Sequence, residues 1–139
     1  MNTRKIINDW TYATLTQLPG FQNKVARVVV PFSLAGGAAY PVITYQYQNF
    51  RDVEWGNGNM ALTEATILVK VWDKNAGFTA IDAALDALPG LFGSQEGTTY
   101  EGHVIEYVRR QAMRDDFEAA EGSYYCAGIF EFTVGVRWP

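Results

Sequence analysis

The residues of this chain that could do chemistry fall into a few small groups, each to be weighed against an ordinary structural use. Asp115, Asp116, Glu118 and Glu121 lie in one short acidic stretch. A calcium loop needs alternating oxygen ligands around a central glycine, and this spacing provides neither. Arg109, Arg110 and Arg114 come directly before the acids. The stretch therefore reads as solvated charge at a hairpin tip and as a candidate contact surface, ahead of a metal site.

A second group is "WDKNAGF", where Asp73, Asn75 and Gly77 precede a helix. Free N–H groups and the helix dipole attract anions there, so a phosphate is conceivable. A dinucleotide fingerprint needs several spaced glycines and a P-loop needs Gly-Lys-Ser/Thr, and one glycine meets neither demand. Asp73 or Asn75 is expected to serve the turn or cap the helix. His103 and Cys126 make no nucleophile motif. They read as a partly exposed histidine and a small buried thiol. No cluster proposes acid–base or covalent catalysis, so no catalytic residue, cofactor or metal ligand is assigned.

The more suggestive segment is "RDVEWGNGNMAL", residues 51–62. A minimal hairpin needs about two to five linking residues, so this reads as a long loop between strong strands. Val53, Trp55, Met60 and Leu62 stand out in its polar frame. They either fold back onto their own sheet or dock on a partner, since aromatic and Met residues favour interface cores.

Positioning these groups requires a scaffold. Residues 4–18 place Ile6, Trp10 and Ala13 on one helical face, with Ile7 and Leu18 at its flanks, before Pro19-Gly20. Strands are expected at 24–32, 41–50, 64–73, 103–113 and 124–138. Ile43, Tyr45 and Tyr47 share a face, as do Ala65, Ile67, Val69 and Val71. The opposite face of 64–73 is mixed, as at a subunit contact or a helix edge. A helix at about 77–88 carries Phe78, Ile81, Leu85 and Leu88 and is closed by Pro89-Gly90. The last strand, with Tyr124, Cys126, Phe130, Phe132, Val134, Val136 and Trp138 on one face, belongs in the sheet interior. The expected fold is α+β: one domain over 1–139, a mainly antiparallel sheet of about five strands and two helices on one face.

The totals agree with such a domain. Of 139 residues, 48% are hydrophobic, enough for a real core. The net charge of −4 argues against a duplex-binding module. One cysteine and one histidine exclude an internal disulfide and nearly exclude structural zinc. "MNTRKIINDWTY" has no signal-peptide core, so a soluble cytoplasmic chain is expected, with no membrane partner.

Taken in order, "YPVITYQ" (40–46), the polar stretch after it, "ILVKVWDKNAGFTAIDAALDAL" (67–88), "DDFE" (115–118) and "YYCAGIFEFTVGV" (124–136) resemble the tail-completion, or tail-terminator, proteins of long-tailed bacteriophages. The resemblance covers about residues 40–137. It implies a non-enzymatic virion protein at the neck, made in the host cytoplasm. It also implies a homo-oligomeric ring, usually six-fold, that ends the tail tube and meets the head-side connector or stopper protein. Genomic DNA would pass through the lumen without specific binding, and an acidic wall would not retain phosphates. On this reading the interface residues are Val53, Trp55, Met60 and Leu62 with Arg114, Asp115, Asp116, Glu118 and Glu121. The alternatives are another neck ring, a tail tube protein, or a small-ligand or enzymatic domain using the 73–77 turn.

Overall fold

A computed structural model of the chain describes residues 3–27, 40–55, 60–74, 77–120 and 123–137. Its elements run α1 (Thr3–Leu15), β1 (Val25–Arg27), β2 (Val42–Trp55), β3 (Met60–Lys74), α2 (Thr79–Gly93), β4 (Thr99–Tyr100), β5 (His103–Ala120) and β6 (Ser123–Arg137). The strands form one sheet in the order β1-β2-β3-β6-β5-β4. The β1–β2 pair is parallel and the others are antiparallel. The α+β expectation holds, with six strands among the described residues rather than five, because Thr99–Tyr100 adds a two-residue edge.

Side-chain alternation decides what the sheet buries. Ile43, Tyr45, Ala65, Ile67, Val69, Val71, Phe130, Phe132, Val134 and Val136 join α1 and α2 in one cluster, so both helices cover the same face. The main stripe of α2 is Ile81, Leu85, Leu88 and Phe92. Each such side chain contributes about 1.5–3 kcal/mol on burial. Gly128 lets α2 sit close: a Cβ there would come within 2.5 Å of Ile81 Cγ2 and 3.1 Å of Leu85 Cγ.

Both helices differ from expectation for identifiable reasons. Pro89 does not end α2, which continues to Gly93. The added turn buries Phe92 against Trp10 at 5.4 Å and Phe132 at 4.4 Å between ring centroids, and this packing overrides the lost backbone donor. The buried face of α1 is Thr3, Ile7, Trp10, Thr11, Thr14 and Leu15, so Ile6 and Ala13 lie at its margin. Thr11 joins that face with its hydroxyl satisfied locally, Oγ1 donating to the Ile7 carbonyl at 2.7 Å. The N-cap of α2 is Phe78, with no side-chain capping bond. Asp73 instead sits in β3 and accepts the Lys74 N–H at 2.9 Å, while Asn75 lies outside the described residues.

The largest correction concerns the two presumed loops. β2 and β3 stay paired out to Trp55 and Met60, and β5 and β6 out to Ala120 and Ser123. Both regions are β-hairpin arms. β3 ends with Lys74 beside Tyr125, near the paired Ala120 and Ser123, and begins with Met60 beside Trp55, so the arms leave the sheet from opposite ends. At about 3.3 Å per residue the 15 residues of β3 span roughly 50 Å.

Candidate functional site

The β2–β3 arm owes its face to a bulge. Gln48 is an extra residue between Tyr47, opposite Ile67, and Asn49, opposite Thr66. Beyond it the phase inverts: Phe50 turns to the helix-covered side, and Arg51 and Val53 take the open side opposite Glu64 and Leu62. The Trp55–Met60 pair follows in the phase of Val53 and Leu62, so the register assembles all four residues singled out from the sequence on one face. Val53 is half-buried and Leu62 is buried, which makes Leu62 part of a wall rather than an exposed contact.

That wall belongs to a cleft of about 460 Å3 lined by Arg51, Val53, Leu62, Glu64, Glu106, Tyr107 and Arg109. A second bulge, at Glu106, sets Tyr107 opposite Gly135. Gly135 has no side chain to hold the ring off, so the ring lies flat over it; a Cβ there would stand within 2.5 Å of Tyr107 Cε2. The Tyr107 hydroxyl donates to Glu64 Oε2, and Arg51 Nε donates to Glu64 Oε1 at 2.9 Å. Arg109 stacks on the Tyr107 ring at 4.3 Å, and Arg137 pairs with Glu106.

Charge follows from this geometry. Burial, and then the bond to Glu64, push the Tyr107 phenol up to about 12. For Glu64 burial acts upward, but the Tyr107 bond and the bond and charge of Arg51 outweigh it, so its carboxyl lies below the ordinary range. In this cleft Glu64 thus accepts from both Tyr107 and Arg51, and Glu106 pairs with Arg137.

At the opposite end, the β5–β6 arm does not gather its acids. Asp115 pairs with Gly128 and Asp116 with Ala127, so the two carboxylates alternate between faces. Asp116 lies 3.5 Å from Lys70, and Arg114 lies 3.7 Å from Glu131. Glu118 is placed only by its backbone, opposite Tyr125, and Glu121 lies outside the described residues. No group of three or more metal-ligating side chains occurs among the described residues.

The sequence reading missed the apolar content of this arm. Met113, Phe117 and Tyr124 are 39%, 57% and 58% exposed, and the Phe117 and Tyr124 rings stack at 5.5 Å. Tyr124 is therefore outside the sheet interior expected for it. The available signal was Phe117, an aromatic set among charges in "RDDFEAAE". A third feature is a groove of about 510 Å3 between the α1–β1 connection and α2, lined by Leu18, Pro19, Gly20, Phe21, Lys24, Pro41, Ala80, Ala83, Ala84 and Ala87.

His103 is buried, not partly exposed, with Nδ1 3.2 Å from the Glu101 carbonyl oxygen. Cys126 is partly rather than fully buried. The chain matches no family model and no curated protein.

Proposed function

We propose that this chain is a structural subunit of a homo-oligomeric ring, six-fold by the resemblance stated above, that ends a phage tail tube and joins it to the head-side connector. The supporting observation is the pair of β-hairpin arms leaving opposite ends of one sheet. A ring held between a tube below and a connector above needs contact surfaces at both ends of its subunit, and each arm supplies one. The first arm carries Val53, Trp55, Met60 and Leu62 on a single face, while the second carries the charges Arg114, Asp115 and Asp116.

On this reading the protein works by binding and position. Trp55 and Met60 on the first arm give affinity, and the charges of the second fix partner and register. The deciding experiment is electron microscopy of particles assembled without this protein. Tails of uncontrolled length, or separate heads and tails, are expected; normal tails joined to heads would remove the proposal. Trp55→Ala with Met60→Ala should weaken ring or tail assembly while the subunit keeps its unfolding midpoint.

A further inference from the structure

The exposed aromatic pair and the apolar groove are complementary features of one chain, and their placement relates them. Tyr124 lies next to Tyr125, which pairs with Lys74, while Pro41 in the groove adjoins Val42, which pairs with Trp72. Both features therefore sit at the same end of the strands. Phe117 pairs with Cys126 in the alternation phase of Phe130, which packs beneath the helices, so the aromatic pair is on the helix side of the sheet. The groove is on that side too, being lined by α2 and by Leu18 and Phe21. Across the sheet they are separated: the groove borders the β1–β2 edge, and the aromatic pair belongs to β5 and β6.

Surfaces at one level, on one face and toward opposite edges cannot meet within a subunit, but they meet between two subunits set side by side. For six strands spaced about 4.8 Å apart, the sideways displacement is roughly 25–30 Å. Such a contact is heterologous, and a heterologous contact whose rotation closes generates a ring. Charge agrees with this pairing. Lys24 lies on the groove, and Asp115 shares the phase of Phe117.

We propose that the Phe117–Tyr124 pair of one copy docks into the groove between Leu18, Phe21 and α2 of a second copy, and that this contact joins neighbours laterally. It rests on the ring reading only for closure of the chain of contacts. Two fully exposed aromatic side chains bury about 300–500 Å2; at 57% and 58% exposure this pair has roughly 170–290 Å2 to bury, well short of the roughly 800 Å2 per partner of a standard interface. A single contact is therefore weak, and ring closure supplies the avidity.

Two variants test it. Phe117→Ser with Tyr124→Ser removes the inserted rings and keeps the groove; Ala83→Trp with Ala87→Trp fills the groove and keeps the rings. The changed residues of the first pair are exposed, as are Ala83 and Ala87, so folded subunits are expected. By analytical ultracentrifugation the native chain should oligomerise at millimolar concentration and each variant should be monomeric. Their mixture should give a 1:1 heterodimer and nothing larger, because one competent surface remains on each partner. A monomeric native chain, an oligomeric variant, or a mixture that stays monomeric overturns the proposal.

A photo-reactive benzoylphenylalanine in place of Phe117 gives a measurement independent of the tryptophan variant's folding. Cross-links to peptides 18–24 or 80–87 support the contact, and cross-links only elsewhere overturn it. Failure of this contact and failure of the ring function are distinguishable. Normal tails assembled from the Phe117→Ser, Tyr124→Ser chain would remove the contact alone; a heterodimer from a chain dispensable for tails would remove the function alone.

Discussion

Replacing Gly135 with Ala should have opposite effects in two backgrounds. The added methyl would lie within 2.5 Å of Tyr107 Cε2, so the ring must lift off the strand. Lifting it breaks the bond from the Tyr107 hydroxyl to Glu64. A hydrogen bond to a charged group contributes about 1.5–3 kcal/mol, toward the lower end where solvent screens it. Against this, Ala in a strand gains about 0.5–1 kcal/mol over Gly by restricting the unfolded chain. The net for Gly135→Ala is a loss of about 1–2 kcal/mol, or roughly 3–8 °C in Tm for a chain of this size. In a Tyr107→Ala background no ring has to move, so the same substitution should stabilise by about 0.5–1 kcal/mol. Urea unfolding of the four proteins of this cycle measures the sign reversal directly. Equal effects of Gly135→Ala in both backgrounds would refute the account of the cleft floor.

Three further outcomes follow from the packing. Glu64 has a folded pKa below its ordinary value of 4.5, so its stabilisation is complete above that value and is lost as pH falls through the lower folded one. The stability gap between native and Glu64→Gln chains should therefore narrow on acidification below about pH 4.5, read by urea titrations across pH. Trp72 Nε1 donates to Thr44 Oγ1 at 2.9 Å inside the sheet. Thr44→Val should cost about 1–3 kcal/mol in urea by removing that acceptor, and adding Trp72→Phe should recover part of the loss. Gly128→Ala should destabilise by about 1–3 kcal/mol, since Ile81 is β-branched and stiff within α2, whereas Gly90→Ala, with open space around it, should be neutral or stabilising.

The parts of this fold legible in the sequence were those where burial writes a period. Ile43 to Tyr47, Ala65 to Val71 and Phe130 to Val136 alternate because one side of each strand meets the helices. The arms carry no such signal. Beyond the helices neither face of a ribbon is fully buried, so "RDVEWGNGNMAL" and "RDDFEAAE" read as loops although β2 runs to Trp55, β3 starts at Met60 and β5 runs to Ala120. Bulges at Gln48, Glu106 and Gln111 hid more, because each inverts the alternation without altering composition. Phe92 was lost behind Pro89 because local propensity cannot register the Trp10 and Phe132 rings awaiting it. For the candidate surfaces, Val53, Trp55, Met60 and Leu62 were picked out individually; that they share one face is set by the register. The Tyr107–Glu64–Arg51 cleft joins three strands and left no local trace.

The bulge at Gln48 also limits how this protein can change length. Removing or inserting one residue in a paired arm would swap its two surfaces, sending Val53 to the helix side and Phe50 to the open side. Two residues, one added to each strand at matching positions beyond Leu62, would displace the turn and invert the phase of both strands only past the insertion. Arm lengths in related chains should therefore differ by even numbers per strand, or by an odd number accompanied by a gained or lost bulge. A parity rule of this kind would make the arms separately adjustable spacers, able to lengthen toward a new partner while the helix-covered sheet stays as it is.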